Sequence, residues 1–191
     1  MSSPGSIIRA RLEDCPAFAG QTPAYVSLGA NLESRVGSPV QTLHAAMESL
    51  VLLSRGPLLV SSVWESTPLD CPPGSPRFFN AVAALLPHEQ SPEELLLALQ
   101  QIENRLGRVR SGVSNAPRTL DLDLLAWGEV ARSGALLTLP HPRMHERRFV
   151  LEPLLEIAPD FVVPGQGAAR DLLTEIAPQG TIRPINSACS L

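Results

Sequence analysis

Asp121 and Asp123 stand two positions apart in the run Thr119-Leu120-Asp121-Leu122-Asp123-Leu124-Leu125-Ala126-Trp127, where leucines alternate with the aspartates. Alternation is the period of a strand, so both carboxylates leave one face, roughly 7 Å apart at a rise of about 3.3 Å per residue. Such a pair can hold two divalent ions. With hard oxygen donors and no nearby His or Cys, the ion that suits it is Mg²⁺, which keeps waters and shares its sphere with phosphates. The same pattern also describes a half-buried strand turning its polar face to water. What favours the metal is the segment just ahead: Arg105, Arg108, Arg110 and Arg118 fall within fourteen residues that hold no acid, in a chain whose net charge is −4. Guanidinium forks for non-bridging oxygens beside carboxylates for ions are what a polyphosphate with Mg²⁺ requires.

A second basic group, Arg143, Arg147 and Arg148, shares a short stretch with His141 and His145. Pro142 disfavours a regular helix between the histidines and no third ligand is evident, so contact with phosphate or ribose is a better use for them than zinc. Phe78 and Phe79 directly precede Asn80 at the start of a predicted strand, and Phe149 follows the second basic group. An amide offers donor and acceptor together to the edge of a heterocycle, and a phenyl ring offers its face; core packing is the alternative use of each phenylalanine.

All fifteen basic residues are arginine. The absence of lysine excludes Schiff-base chemistry and the P-loop lysine of Walker A proteins. Cys15, Cys71 and Cys189 are odd in number and widely spaced, which fits free thiols better than a disulfide or zinc framework. An acidic chain lacks the broad basic face of bulk nucleic-acid binding, and no apolar run is long enough for a membrane span. A cytoplasmic monomer acting on small molecules, with neither nucleic acid nor membrane as partner, is the expectation.

The elements that must position these residues follow from local signals. Residues 1–22 lack a sustained period and are expected to be an extension outside the folded unit. A domain over 23–178 and a tail over 179–191 complete the chain. Within the domain, Tyr25–Leu28 reads as a strand closed by Gly29, and Ser38-Pro39 as the start of a helix carried by Val40, Leu43, Met47 and Leu50. Residues 58–66 and 79–86 read as strands joined by a long proline-rich loop over Thr67–Pro76. Ser91-Pro92-Glu93-Glu94 is a capping box, and its helix stops at Gly107. With the aspartate strand the order is β-α-β-β-α-β, which predicts an α+β fold: a ferredoxin-like antiparallel sheet covered by two helices. Helices over 149–158 and 169–177 would form a second helical layer.

The run Ala116-Pro117-Arg118-Thr119-Leu120-Asp121-Leu122-Asp123-Leu124-Leu125 resembles the signature of the 6-hydroxymethyl-7,8-dihydropterin pyrophosphokinases, the HPPK family of folate biosynthesis. Companion motifs occur in order: Gly29-Ala30-Asn31-Leu32, Ser66-Thr67-Pro68-Leu69, Phe79-Asn80-Ala81-Val82, Ile102-Glu103 with Gly107-Arg108-Val109-Arg110, Leu139-Pro140-His141-Pro142-Arg143-Met144 and Phe149-Val150-Leu151-Glu152-Pro153-Leu154. The resemblance implies an ATP-dependent transferase that moves the terminal pyrophosphoryl group of ATP to the pterin hydroxymethyl group and releases AMP. It implies two Mg²⁺ ions on Asp121 and Asp123, with Arg108, Arg118, His141 and Arg147 holding phosphates. Gln100, Leu124 and Thr138 would border the nucleotide. Apart from the resemblance, Arg110 and the long loops at 30–38 and 108–118 are candidates for a lid that excludes water from the phosphoanhydride. The pterin would lie between Phe78 and Phe149, read by Asn80 and by backbone around Thr67, Pro68 and Leu69, with Gly29 and Asn31 shaping the pocket. Asn115, Ala116, Leu136 and Pro142 depart from the family's usual residues.

Two other readings share these elements. Another two-metal phosphoryl-transfer enzyme would use the same aspartates. A non-catalytic ferredoxin-like ligand-binding domain, or an RNA-recognition motif, would leave them unexplained.

Overall fold

In the computed structural model, residues 5–109 and 116–185 are described. A seven-stranded sheet runs through the molecule, with β2 (Ala24–Ala30) and β5 (Phe78–Leu85) paired antiparallel at its centre. On the other side of β2 lies β6 (Asp121–Trp127), also antiparallel. The outer edge of β5 is shared by β3 (Leu58–Val60) and β4 (Trp64–Ser66), and two short strands extend that edge: β1 (Ile7–Ile8) beside β3, and β11 (Ile182–Pro184) beside β4. Two small hairpins lie apart, β7 (Arg132–Ser133) with β8 (Thr138–Leu139), and β9 (Val162–Val163) with β10 (Gly167–Ala168).

The strands' period of two divides the apolar side chains between two cores. On β5, Ala81, Ala83 and Leu85 face α1 (Pro39–Val51) and α2 (Pro92–Arg105), which press Leu43, Met47, Leu50, Leu95, Leu99 and Ile102 onto that face. Val82, Ala84 and Leu86 face the other way, toward α3 (Arg148–Ile157), with α4 (Ala169–Glu175) packed behind it. The molecule is therefore an α+β structure with helices on both faces of the sheet.

Local chemistry sets the ends of the two main helices. Ser38 and Gln41 form a capping box ahead of Pro39, and Ser91 and Glu94 form another ahead of Pro92. At the far end of α2, Gly107 takes φ +92°, its N–H bonds to Asn104 O at 3.2 Å, and Arg108 N–H bonds to Glu103 O at 3.0 Å. That pair of bonds is a Schellman motif, for which the left-handed conformation of glycine is needed.

Three expectations change. The strand expected over 58–66 is two strands, because the Ser61 hydroxyl accepts the Val82 N–H at 2.9 Å in place of a carbonyl and the ladder breaks there. Residues 5–22 are not an appendage: β1 pairs in parallel with β3, Leu12 N–H bonds to Ile157 O at 2.7 Å, and Cys15 and Phe18 are buried in the second core. Residues 182–184 of the expected tail are β11.

Candidate active site

α3 covers only part of the second face of the sheet. Tyr25, Val82, Ala84, Leu125 and Ala126 are packed beneath it, whereas Ser27, Gly29, Phe78, Asn80, Asp121 and Asp123 are left to floor a cavity of about 270 Å³. Strand register brings these residues together: Gly29 is opposite both Asn80 and Asp121, and Ser27 is opposite Asp123. A side chain at Gly29 would stand between its neighbours, since a Cβ there lies 3.4 Å from Asn80 Oδ1 and 3.9 Å from Asp121 Cβ. Glycine keeps the floor open.

Among the described residues three arginines face the aspartates. The Schellman turn delivers Arg108 directly from the end of α2 to Glu103 and Asp121, and its Nη1 bonds to both carboxylates. Glu103, only 2% exposed, also accepts the Leu122 N–H at 2.8 Å, so it fixes Arg108 to the aspartate strand. Burial lowers the Arg108 pKa, but Asp121 and Glu103 outweigh it and the group stays charged. Arg118 places Nε 3.3 Å from Asp121 Oδ2 and its guanidinium 5.6 Å from the centre of the Phe78 ring. Nε lies within ion-pair range yet makes no hydrogen bond, so Coulomb attraction rather than bond geometry joins this pair. The third, Arg147, places Nη1 3.8 Å from Asp123 Oδ2 and lies over Phe149, again 5.6 Å from ring centre.

Asn31 acts one layer behind. It is 3% exposed, accepts the Arg118 N–H at 2.7 Å through Oδ1 and donates through Nδ2 to Pro76 O at 3.3 Å. It ties the arginine segment and the loop before β5 to the end of β2. Asn80, in contrast, reaches the cavity floor and donates to Ser66 Oγ at 2.9 Å.

The electrostatics are those of charges gathered away from water. Burial and the neighbouring Asp121 charge push the Asp123 carboxyl up to about 6, against the pull of Arg147. The carboxyl lies deep, yet 34% of the side chain's surface is open to the cavity. His141 is pushed down to about 4 by burial and by Arg147, so it is neutral at pH 7. Its Nδ1 accepts the Arg143 N–H at 3.2 Å, which leaves Nε2 as the protonated nitrogen and a donor.

A second cavity of about 240 Å³ adjoins the first and shares Asp123 and His141 with it. Its walls are Leu96 of α2, Leu124 of β6, the 134–138 segment of the β7–β8 hairpin, and Pro142. It is the more apolar neighbour of a charged site.

Residues 25–159 match the family described as 7,8-dihydro-6-hydroxymethylpterin-pyrophosphokinase (HPPK). The chain belongs to the HPPK family. It is 42% identical over 161 residues to the 2-amino-4-hydroxy-6-hydroxymethyldihydropteridine pyrophosphokinase of Haemophilus influenzae, covering 84% of this chain and 96% of that protein. The protein of the same name from Pseudomonas aeruginosa is 41% identical over 160 residues, 83% of this chain and 94% of its own. The crystal structure of wild-type Plasmodium falciparum HPPK-DHPS with pteroate superposes with a TM-score of 0.61 at 12% identity, a likeness of fold alone. It covers 81% of this chain, which spans 44% of that longer one.

Of the residues that the HPPK resemblance singles out, Gly29, Thr67, Leu69, Phe78, Asn80, Arg108, Arg118, Asp121, Asp123, His141, Arg147 and Phe149 line the first cavity. Leu124, Thr138 and His141 line the second. Pro68 and Asn31 line neither, and Gln100 sits on α2 one turn beyond Leu96 without reaching either wall. Arg110 and Asn115 lie outside the described residues, as does Cys189. Sequence reasoning missed Ser27, Leu28, Asp70 and Cys71 as cavity residues and met Ser66 only within a companion motif, whereas Arg143, read with the second basic group as a phosphate or ribose contact, lines the first cavity. Ser27 was within reach, because it shares the face of Gly29 on a strand; Asp70 and Cys71 carry no local signal. Leu136 and Pro142, two of the departures from the HPPK pattern, both line the second cavity.

Proposed function

We propose that this HPPK-family chain transfers the terminal pyrophosphoryl group of ATP to the hydroxymethyl group of 6-hydroxymethyl-7,8-dihydropterin and releases AMP. The observation that carries this reading is the meeting of two cavities at Asp123 and His141. The acceptor occupies the first, between Phe78 and Phe149 and with its edge on Asn80. The adenosine end of ATP occupies the second, against Leu124 and Thr138. The triphosphate then crosses the junction, where the charged groups are. We read the strand order β6-β2-β5-β3/β4, with α1 and α2 on one face, as the ferredoxin-like arrangement.

Asp121 and Asp123 suit Mg²⁺: they are hard oxygen donors on one face, and the raised pKa of Asp123 marks a carboxylate buried beside a second one. Among the described residues no group of three or more His, Cys, Asp or Glu forms a metal site by itself. Two carboxylates match an ion that arrives with phosphate oxygens, and two such ions would be held. Bound there, Mg²⁺ would supply neutralisation of the charge that gathers on the phosphates.

The protein's own contribution is positioning and electrostatics. The acceptor's hydroxyl oxygen bonds to the β-phosphorus, the bridge between α- and β-phosphates breaks, the hydroxyl proton passes to water, and AMP carries away the electron pair. Arg108, Arg118 and Arg147 exchange carboxylate partners for phosphate oxygens, and neutral His141 donates through Nε2–H. The departing group is AMP and not ADP because the acceptor cavity and the adenosine cavity meet at the middle of the triphosphate. Incubation with Mg-ATP and the pterin alcohol, with nucleotides resolved after one turnover, tests this directly. One AMP per diphosphorylated pterin is expected; ADP with a monophosphorylated pterin would overturn the reading.

A further inference from the structure

Arg147 is a single extended residue, φ −117° and ψ 105°, between the short 3₁₀ turn Met144–Glu146 and α3. Its side chain points at Asp123 and cannot cap the helix it precedes; no side-chain cap is made from that position. The first N–H of a helix has no partner within the helix, so this break needs one from elsewhere. Gln179 supplies it. Its Oε1 accepts the Arg148 N–H at 3.0 Å, and its Nε2 donates to Glu146 O at 2.6 Å. One amide thus binds the carbonyl before Arg147 and the N–H after it, and holds the backbone from which both Arg147 and Phe149 project.

The next two residues reach the opposite wall. Gly180 takes φ +71°, and a Cβ there would run into Thr67 Oγ1. Thr181 N–H donates to Thr67 Oγ1 at 2.7 Å, and its carbonyl accepts Thr67 N–H at 3.0 Å and the hydroxyl at 3.1 Å. Ile182 then pairs with Ser66 in the β11–β4 ladder. Four consecutive residues therefore join two walls of one cavity: Arg147 and Phe149 on one side, Ser66 and Thr67 on the other. None of those four lines the second cavity. The family match ends at residue 159, twenty residues before Gln179.

We propose that residues 179–182 are a strap that sets the width of the acceptor cavity, with Gln179 as the positioning residue for Arg147 and Phe149. This rests on reading that cavity as the acceptor's. The strap touches no substrate; it acts through the backbone it holds. A purely structural role would lower stability and weaken both substrates alike, whereas a strap on one cavity shifts the acceptor more than the nucleotide, whose phosphates meet only Arg147 among the residues it holds.

The test uses the full chain with Gln179→Met, which keeps side-chain length and removes both hydrogen bonds, and separately Gly180→Ala, which strains the φ +71° backbone against Thr67 while keeping the Gln179 amide that caps α3. For each, KM is measured for the pterin alcohol and for Mg-ATP, with kcat and the melting temperature. We expect KM for the pterin alcohol to rise tenfold or more in Gln179→Met and at least threefold in Gly180→Ala. KM for Mg-ATP should move less than threefold in Gly180→Ala; in Gln179→Met, where Arg147 also loses support for its phosphate contact, its rise should be at least threefold smaller than that of the acceptor KM. An acceptor KM within twofold of the unsubstituted chain in both variants overturns the strap, and so does a parallel rise in both KM values that tracks a fall in melting temperature. The unsubstituted chain reports on the reaction itself: if it forms no AMP, the functional reading fails, independently of the strap.

Discussion

Among the described residues Asp121 is held by two arginines and Asp123 by one, so their removal has different electrostatic consequences even though each would cost an ion its ligand. Replacing Asp121 with alanine leaves Arg118 without its carboxylate, while Arg108 keeps Glu103. Replacing Asp123 removes a carboxyl buried beside a second one, and folding should tolerate that well. Turnover in both variants should fall by at least about 10³, or about 4 kcal/mol of transition-state stabilisation. Single-turnover rates check this, and a well-folded variant within tenfold of the parent would remove the aspartates from the chemistry. Phe149 tests the other substrate. Its ring faces the cavity and carries the Arg147 guanidinium, so Phe149→Ala should weaken pterin binding by roughly 1 to 3 kcal/mol, the range for a base stacked on an aromatic side chain. Titration calorimetry should show Mg-ATP binding nearly unchanged; an unchanged pterin affinity would return Phe149 to a packing role.

At the scale of elements, β1 is an edge strand with no cavity residue, and its removal separates stability from activity. Ile7 and Ile8 are half-buried against Leu58 and Leu59, so deleting residues 1–9 should cost about 2 to 3 kcal/mol of stability at the usual value for apolar side chains. kcat should stay within twofold. Urea midpoints and steady-state rates decide, and a deletion that left the midpoint unmoved would make β1 an ornament of the edge. Neither β1 nor β11 was legible in the sequence, because two or three residues carry no period and their pairing depends on an edge that exists only once β3 and β4 are in place. The break at Ser61 is of the same kind, since its partner Val82 lies 21 residues away. The helices were legible for the opposite reason: Ser38, Ser91, Glu94 and Gly107 act on their own neighbours. The site divides likewise. Alternation in 119–127 put both aspartates on one face and arginine density marked their surroundings, but Asn31, expected to shape the pocket, instead anchors Arg118 through a contact 87 residues distant.

For the molecule as a whole, the site leaves a signature in the pH dependence of stability, and it comes from two shifts of opposite sign. Asp123 titrates at about 6 in the folded protein against an ordinary 3.8, so between these values the native state holds a proton that the unfolded chain has released. His141 titrates at about 4 against 6.5, so over nearly the same interval the native state lacks a proton that the unfolded chain retains. Stability rises with pH where the unfolded chain binds more protons and falls where the native state does. The Asp123 contribution is therefore fully present below pH 3.8 and lost as pH rises through 6. The His141 contribution is present above 6.5 and lost as pH falls through 4. In the unsubstituted chain the two slopes oppose each other. Removing either exposes the other: between pH 4.5 and 5.5, without metal or nucleotide, Asp123→Asn should gain stability with rising pH relative to the parent, and His141→Gln should lose it. One full proton corresponds to about 1.4 kcal/mol per pH unit, and the open third of Asp123 screens this toward about 1 kcal/mol. Urea unfolding of all three proteins at both pH values, in the presence of a chelator, measures the differences. Parallel behaviour of both variants and the parent would show that these two groups do not titrate as an opposed pair.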